Sequence, residues 1–202
     1  MAVSKARAHG FRVLAPDAPR NLIQGKSMNA KALPLFFTGL FLTFCFATVC
    51  FSAETVVTSE DKLLQVTVPE GWQKQTDLHQ EAEIQTGNPK KDLFLIVLSE
   101  AKMDFDNITY EDHSKLTREP LLKNLINAKL ESGPKILTIN GLPAVQYEIS
   151  GSVDKIKIRY IHTTVDGAKH FHQILAWTLP SNFEKYHVEL EAVVASFKET
   201  QK

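Results

Sequence analysis

The chain has 202 residues, and its 23 Lys/Arg balance 23 Asp/Glu to give no formal net charge. Residues 1–53 hold six of the basic residues (Lys5, Arg7, Arg12, Arg20, Lys26 and Lys31) and one acid, Asp17, which leaves 17 basic and 22 acidic residues, a net charge of −5, in 54–202. A mildly acidic domain gains nothing from counterion release on a polyanion, so nucleic-acid binding is not expected.

Residues 1–27 are basic, lack apolar periodicity and precede Met28, which opens a complete export leader by itself. They read as an upstream extension ahead of the true start, with an organelle transit peptide as the alternative. Residues 28–53 run from a short start with Lys31 through an apolar stretch, Leu33 to Phe51, to the small residues Ser52 and Ala53, the order of a secretory signal peptide. Nineteen apolar residues also just suffice to span a bilayer, so a retained anchor is the alternative. Cys45 and Cys50 follow Phe44 and Val49, not the small residues that lipid attachment needs. Both cysteines lie in the leader, so a cleaved chain would have no disulfide and no thiolate ligand or nucleophile. The expected location is secreted or periplasmic, or membrane-tethered if the leader stays. The remaining stretch, 54–202, about 150 residues, is enough for one core and too short for two ordinary domains.

In that domain, Thr55–Thr58 and Leu63–Val68 read as paired strands, the second ending at Pro69, Gly71 and the aromatic anchor Trp72. Ala82–Thr86 and Leu93–Ser99 flank the turn cluster Gly87 to Lys91 and form a predicted hairpin. Thr109 with Asp112 three residues on resembles an acidic capping box, and Leu116, Leu122, Leu125 and Ile126 recur behind it at helical spacing. A helix is expected over 109–131, kinked or restarted at Pro120 and stopped by Gly133 and Pro134. Four strands follow, near Ile136–Ile139, Ala144–Ser150, Ile156–Thr164 and Phe171–Thr178, with Asn140-Gly141 and Asp166-Gly167 as hairpin turns. A last helix is expected from a capping box at Ser181 and Glu184, with Phe183, Tyr186, Leu190, Val193, Val194 and Phe197 on one stripe. This order predicts an α+β fold with an antiparallel sheet and helices packed on it.

The stretches LLQVTVPEGWQ, GNPKKDLFLIVLSEAK, ILTINGLPAVQYEIS and QILAWTLPSNFEKYHVELEAVVASFK resemble the PsbP/DcrB superfamily, itself related in fold to Ran-binding Mog-type proteins. The resemblance covers about residues 60–199 and rests on structural features: Pro69-x-x-Trp72, the turn Asn140-Gly141-x-Pro143-Ala144 and a closing helix ending Ser196-Phe197. It implies an α-β-α sandwich on a central antiparallel sheet, in exported bacterial or thylakoid-lumenal proteins that act by binding. Plant members are extrinsic subunits of the water-oxidising photosystem. An accessory role of that type is one alternative here, although the long N-terminal extension expected for it is missing from this sequence.

Candidate sites are few. His162, His170 and His172 would share a hairpin face and suit a divalent metal if 162 pairs with 172, whereas a slip of one residue moves His162 to the other face. Lys155, Lys157 and Arg159 alternate along one strand, a face able to dock an acidic or membrane-associated partner or simply to meet water. Glu111, Asp112 and Glu119 suit the macrodipole of the first helix. Trp72 and Trp177 read as core anchors or as the lining of an apolar pocket, and Asn107-Ile108-Thr109 is a glycosylation sequon only in a host with that machinery. No nucleophile elbow, phosphate loop or His-Glu-x-x-His motif occurs. The expectation is a non-enzymatic exported domain without a cofactor that binds an envelope partner through its sheet edge or the Lys155/Lys157/Arg159 face; the alternative is a small-ligand or divalent-metal-binding periplasmic protein.

Overall fold

The computed structural model describes residues 54–200; the extension expected at 1–27, the leader expected at 28–53 and both cysteines lie outside the described residues. Ten strands and two α-helices follow in the order β1 (Thr55–Thr58), β2 (Leu64–Val68), β3 (Gln73–Lys74), β4 (Ile84–Asn88), β5 (Leu93–Ala101), α1 (Tyr110–Asn124), β6 (Ile126–Ile139), β7 (Leu142–Val153), β8 (Ile156–Asp166), β9 (His170–Thr178), α2 (Pro180–Ala195) and β10 (Lys198–Glu199), with a short 3-10 helix at Lys102–Asp104. A seven-stranded sheet has the order β3-β4-β5-β9-β8-β7-β6, and a three-stranded sheet the order β1-β2-β10. Every pairing is antiparallel, as the short hairpin joints demand.

Alternation along the strands sends side chains to two cores. On one face Leu95, Val97, Ile161 and Ile174 pack with Phe183, Leu190, Val193 and Val194 of α2 and with Leu64, Val66 and Val68 of β2. On the other, Ile96, Tyr160, Leu175 and Trp177 pack with Leu121 and Leu125 at the end of α1 and with Leu78. The result is an α-β-α sandwich. Trp72 and Trp177 are both core residues, and the indole of Trp72 donates to Glu189 Oε1 at 2.8 Å.

Local chemistry sets several boundaries where the sequence placed them. The Asp112 N–H donates to Thr109 Oγ1 and the Thr109 N–H to Asp112 Oδ2, a reciprocal cap that opens α1. Asn140 and Gly141 sit at φ 48 and 87, as a two-residue hairpin between β6 and β7 requires. Pro120 lies inside α1 without ending it. At α2 the cap differs from expectation: Leu179 is the N-cap and Pro180 the first helical residue, so no Ser181/Glu184 box forms. Proline is suited to that position, because its missing N–H would be unpaired there anyway.

The largest departure follows α1. Leu125 leaves the helix in an extended conformation, and residues expected to continue it to 131 instead begin the 14-residue strand β6. Leu125 packs so closely over Gly151 of β7 that a Cβ on Gly151 would fall 2.7 Å from Leu125 Cβ. That close approach redirects the chain into a ladder along β7, and tertiary pairing outweighs the weak helical preference of Asn127 to Glu131. Gly133 and Pro134, expected as a helix stop, lie within β6 at an irregularity between Ser132 and Lys135. Gly133 has φ 115 and lies so near Tyr147 that a Cβ would meet its ring at 2.5 Å.

Candidate functional site

The β8–β9 register pairs His162 with Leu175 and Val165 with His172, so 162 does not pair with 172. The expected common face of His162, His170 and His172 is therefore corrected. The loop Gly167–Lys169 sets a register in which His162 points beneath α1, whereas His170 and His172 point to the α2 side. Among the described residues no group of three His, Cys, Asp or Glu side chains forms a metal-holding arrangement.

His172 is buried in a chain of polar contacts that joins the two sheets. Its Nδ1 lies 2.8 Å from Ser99 Oγ, its Nε2 lies 3.0 Å from Glu199 Oε1, and the Ser99 hydroxyl donates to Glu83 Oε2 at 2.6 Å. Burial pushes the His172 pKa down against the pull of the Glu199 and Glu83 carboxylates. Burial alone would push Glu199 up, but hydrogen bonds from His172 and the Ala168 N–H hold it below the ordinary carboxylate range. The two lowered pKa values favour a neutral imidazole beside an ionised carboxylate. Serine, histidine and glutamate stand in line, and Glu83 Oε2 and His172 Nδ1 compete for the one proton on Ser99. A methyl group on Gly167 would fall 2.5 Å from both His172 Nε2 and Glu199 Oε1. Gly167→Ala is accordingly expected to cost about 1–3 kcal/mol, measured by urea unfolding; an unchanged midpoint would show that the network yields freely.

The expected cationic face is not uniform either. Lys155 belongs to the β7–β8 turn, at φ 72, and Lys157 is exposed opposite Ser152. Arg159 is held within its own domain: it donates to Glu148 at 2.7 Å, lies 3.6 Å from Glu184 and stacks over Phe183 at 4.0 Å. A partner would have to displace those contacts, so the three residues do not present one free surface.

Two features were not legible as sites in the sequence. One is a pocket of about 450 Å³ beside the start of α1, where Lys102, Phe105, Tyr110, Glu111, Asp166 and Phe171 meet. Asn107 and Thr109 of the sequon also line it, and Glu111 faces it instead of serving only the macrodipole. The other is the outer edge of β6. Among the described residues β6 pairs only with β7, and its side chains Ile126, Leu130 and Ile136 are 59%, 45% and 61% exposed. Register shifts interrupt the strand up to Lys135, after which Lys135–Ile139 pair with Gln146–Leu142 without a break. The opposite edge of that sheet, β3, is only two residues long. A short edge offers little to an added strand, whereas a long apolar one is a template for it.

Two helices on opposite faces of a central antiparallel sheet define the class: an α-β-α sandwich. The chain has the PsbP-like fold. It superposes on cyanobacterial PsbP (CyanoP) from Synechocystis sp. PCC 6803 with a TM-score of 0.55 at 13% identity, covering 79% of this chain and 99% of that one. LpqN, described as involved in cell envelope biogenesis of Mycobacterium tuberculosis, matches with 0.53 at 17% identity over 75% and 92% of the two chains. The Saccharomyces cerevisiae Ran-binding protein Mog1p matches with 0.52 at 12% identity over 73% and 96%. No protein-family model and no curated protein sequence matches the chain.

Proposed function

We propose that the chain is a non-enzymatic, exported PsbP-like docking domain that takes an extended segment of a cell-envelope protein as an added strand along Lys135–Ile139 of β6. The observation that carries this reading is the β6 edge itself: an unbroken run at the end of the long sheet, with Ile136 61% exposed on it. Main-chain hydrogen bonds from the edge would supply affinity, and alternate side chains specificity. Ile136 pairs with Val145 and so flanks the helix α1 side of the sheet, where it offers an apolar contact to the opposing residue of an incoming strand. Lys135 is paired with Glu191 at 2.7 Å and leaves the edge without an unbalanced charge.

Export rests on the leader at 28–53 and agrees with the envelope role stated for LpqN. The reading without catalysis rests on the sequence, which carries no short catalytic motif, and on the competing acceptor at Ser99.

Ile136→Asp is expected to reduce capture of the partner from an envelope extract at least about tenfold, the effect of roughly 1.4 kcal/mol, while Val188→Asp on the exposed side of α2 leaves it unchanged. Equal capture by both variants would remove the β6 edge from consideration.

A further inference from the structure

The pocket beside α1 takes no part in edge docking, and its chemistry is specific. Lys102 Nζ lies 2.5 Å from Asp166 Oδ1 and 5.1 Å from the centre of the Phe171 ring, so one ammonium is held between a carboxylate and an aromatic face. Phe105 meets Phe171 edge-on at 6.0 Å, and Tyr110 and the second carboxylate, Glu111, complete the walls. Aromatic faces beside carboxylates recognise organic cations. With one lysine and two acidic residues, these walls carry a formal charge of one negative unit, which disfavours an anion.

We infer that this pocket is a recognition site for a small organic ammonium ion with an apolar body, and that the ammonium of Lys102 holds the cation position until such a ligand displaces it. The volume of about 450 Å³ lies in the range of small-molecule sites. Lys102 is suited to yield: its side chain is 32% exposed, and a flexible four-carbon stem can carry the charge out to water. The ligand's charge would then rest against Asp166, Glu111 and the Phe171 face, and its apolar body against Phe105 and Ile108.

Calorimetry on the full chain tests this, with 2-phenylethylamine as the probe and 2-phenylethanol and 3-phenylpropionate as the neutral and anionic controls. The amine is expected to bind saturably, with both controls at least about tenfold weaker. Lys102→Ala, which removes the resident cation, is expected to tighten amine binding several-fold, and Glu111→Gln at the exposed rim to weaken it. Binding that appears only in Lys102→Ala also supports the inference, since it means that the resident ammonium blocks the wild-type site. No amine binding to either protein, equal binding of the anion, or weaker amine binding by Lys102→Ala would overturn it.

Discussion

Replacing His162 by glutamine is expected to remove about 2–3 kcal/mol of the stability loss that the wild-type domain shows between pH 6.5 and 4.5. His162 is fully buried beneath α1, and its Nε2 lies 3.1 Å from Thr117 Oγ1. The Thr117 hydroxyl is turned to the carbonyl groups of His113 and Ser114, at 3.2 and 3.3 Å, so its oxygen accepts a hydrogen bond from the Nε2–H of a neutral imidazole. Burial first, and then the nearby charges of Arg118 and His113, push the His162 pKa down to about 3. Because this folded value lies below the unfolded value of 6.5, the unfolded chain takes up the proton first. The contribution of His162 is therefore fully present above pH 6.5 and drains away as the pH falls towards 3. Each pH unit within that window costs about 1.4 kcal/mol, so the fall to pH 4.5 amounts to about 2–3 kcal/mol.

His172, also shifted down by burial, adds a slope of the same sign. The carboxylates of Asp112, Glu131 and Glu199 are held below their ordinary range and lose their contributions in more acid solution. Urea unfolding at pH 6.5, 5.5 and 4.5 on both proteins decides the matter. The same slope in His162→Gln would mean that the imidazole is not the titrating group.

Phe197→Ala should be the most destabilising single truncation near the end of the chain. Phe197 has no exposed surface, belongs to the core formed by α2, the large sheet and the small sheet, and meets the His172 ring at a tilt with 5.0 Å between centroids. Its carbonyl accepts from Asn140 Nδ2 at 2.7 Å, which ties the end of α2 to the β6–β7 turn. Removing the ring takes away the apolar transfer energy and leaves a cavity in the core that it shares with Val66, Val68 and Val194, for a loss of about 3–5 kcal/mol. Val188→Ala on the exposed side of α2, 77% accessible, should change stability by less than about 0.5 kcal/mol. Denaturant midpoints for the two variants that lie close together would contradict this assignment of the core.

The hairpin at Asn140-Gly141 and the cap at Thr109 and Asp112 were legible because each depends on a few adjacent residues. Positive φ and reciprocal hydrogen bonds are local requirements, and few residue types meet them. The start of β6 was not legible. Leu122, Leu125 and Ile126 continue a helical spacing, and only the close approach of Leu125 to Gly151, distant in sequence, turns the chain into a strand. An edge strand facing water on its outer side also shows no clean alternation, so Ile126 to Glu131 carried no period-two signal. The shared face of the three histidines depended on a register that the sequence does not fix. Strand register is a property of the pair, and one residue decides whether His162 lies beneath α1 or beside His172. The pocket joins Lys102, Glu111 and Asp166 from three separate elements, a juxtaposition that only the fold creates.

Site-specific photocrosslinking tests the docking edge most directly. A benzoylphenylalanine introduced in the full chain at position 136 of β6, and separately at positions 157 and 188, is irradiated in the native envelope. The expected result is a discrete protein adduct from position 136 and none from 188 or 157. Adducts from 157 or 188 with none from 136 would contradict the proposed docking of an envelope protein on β6.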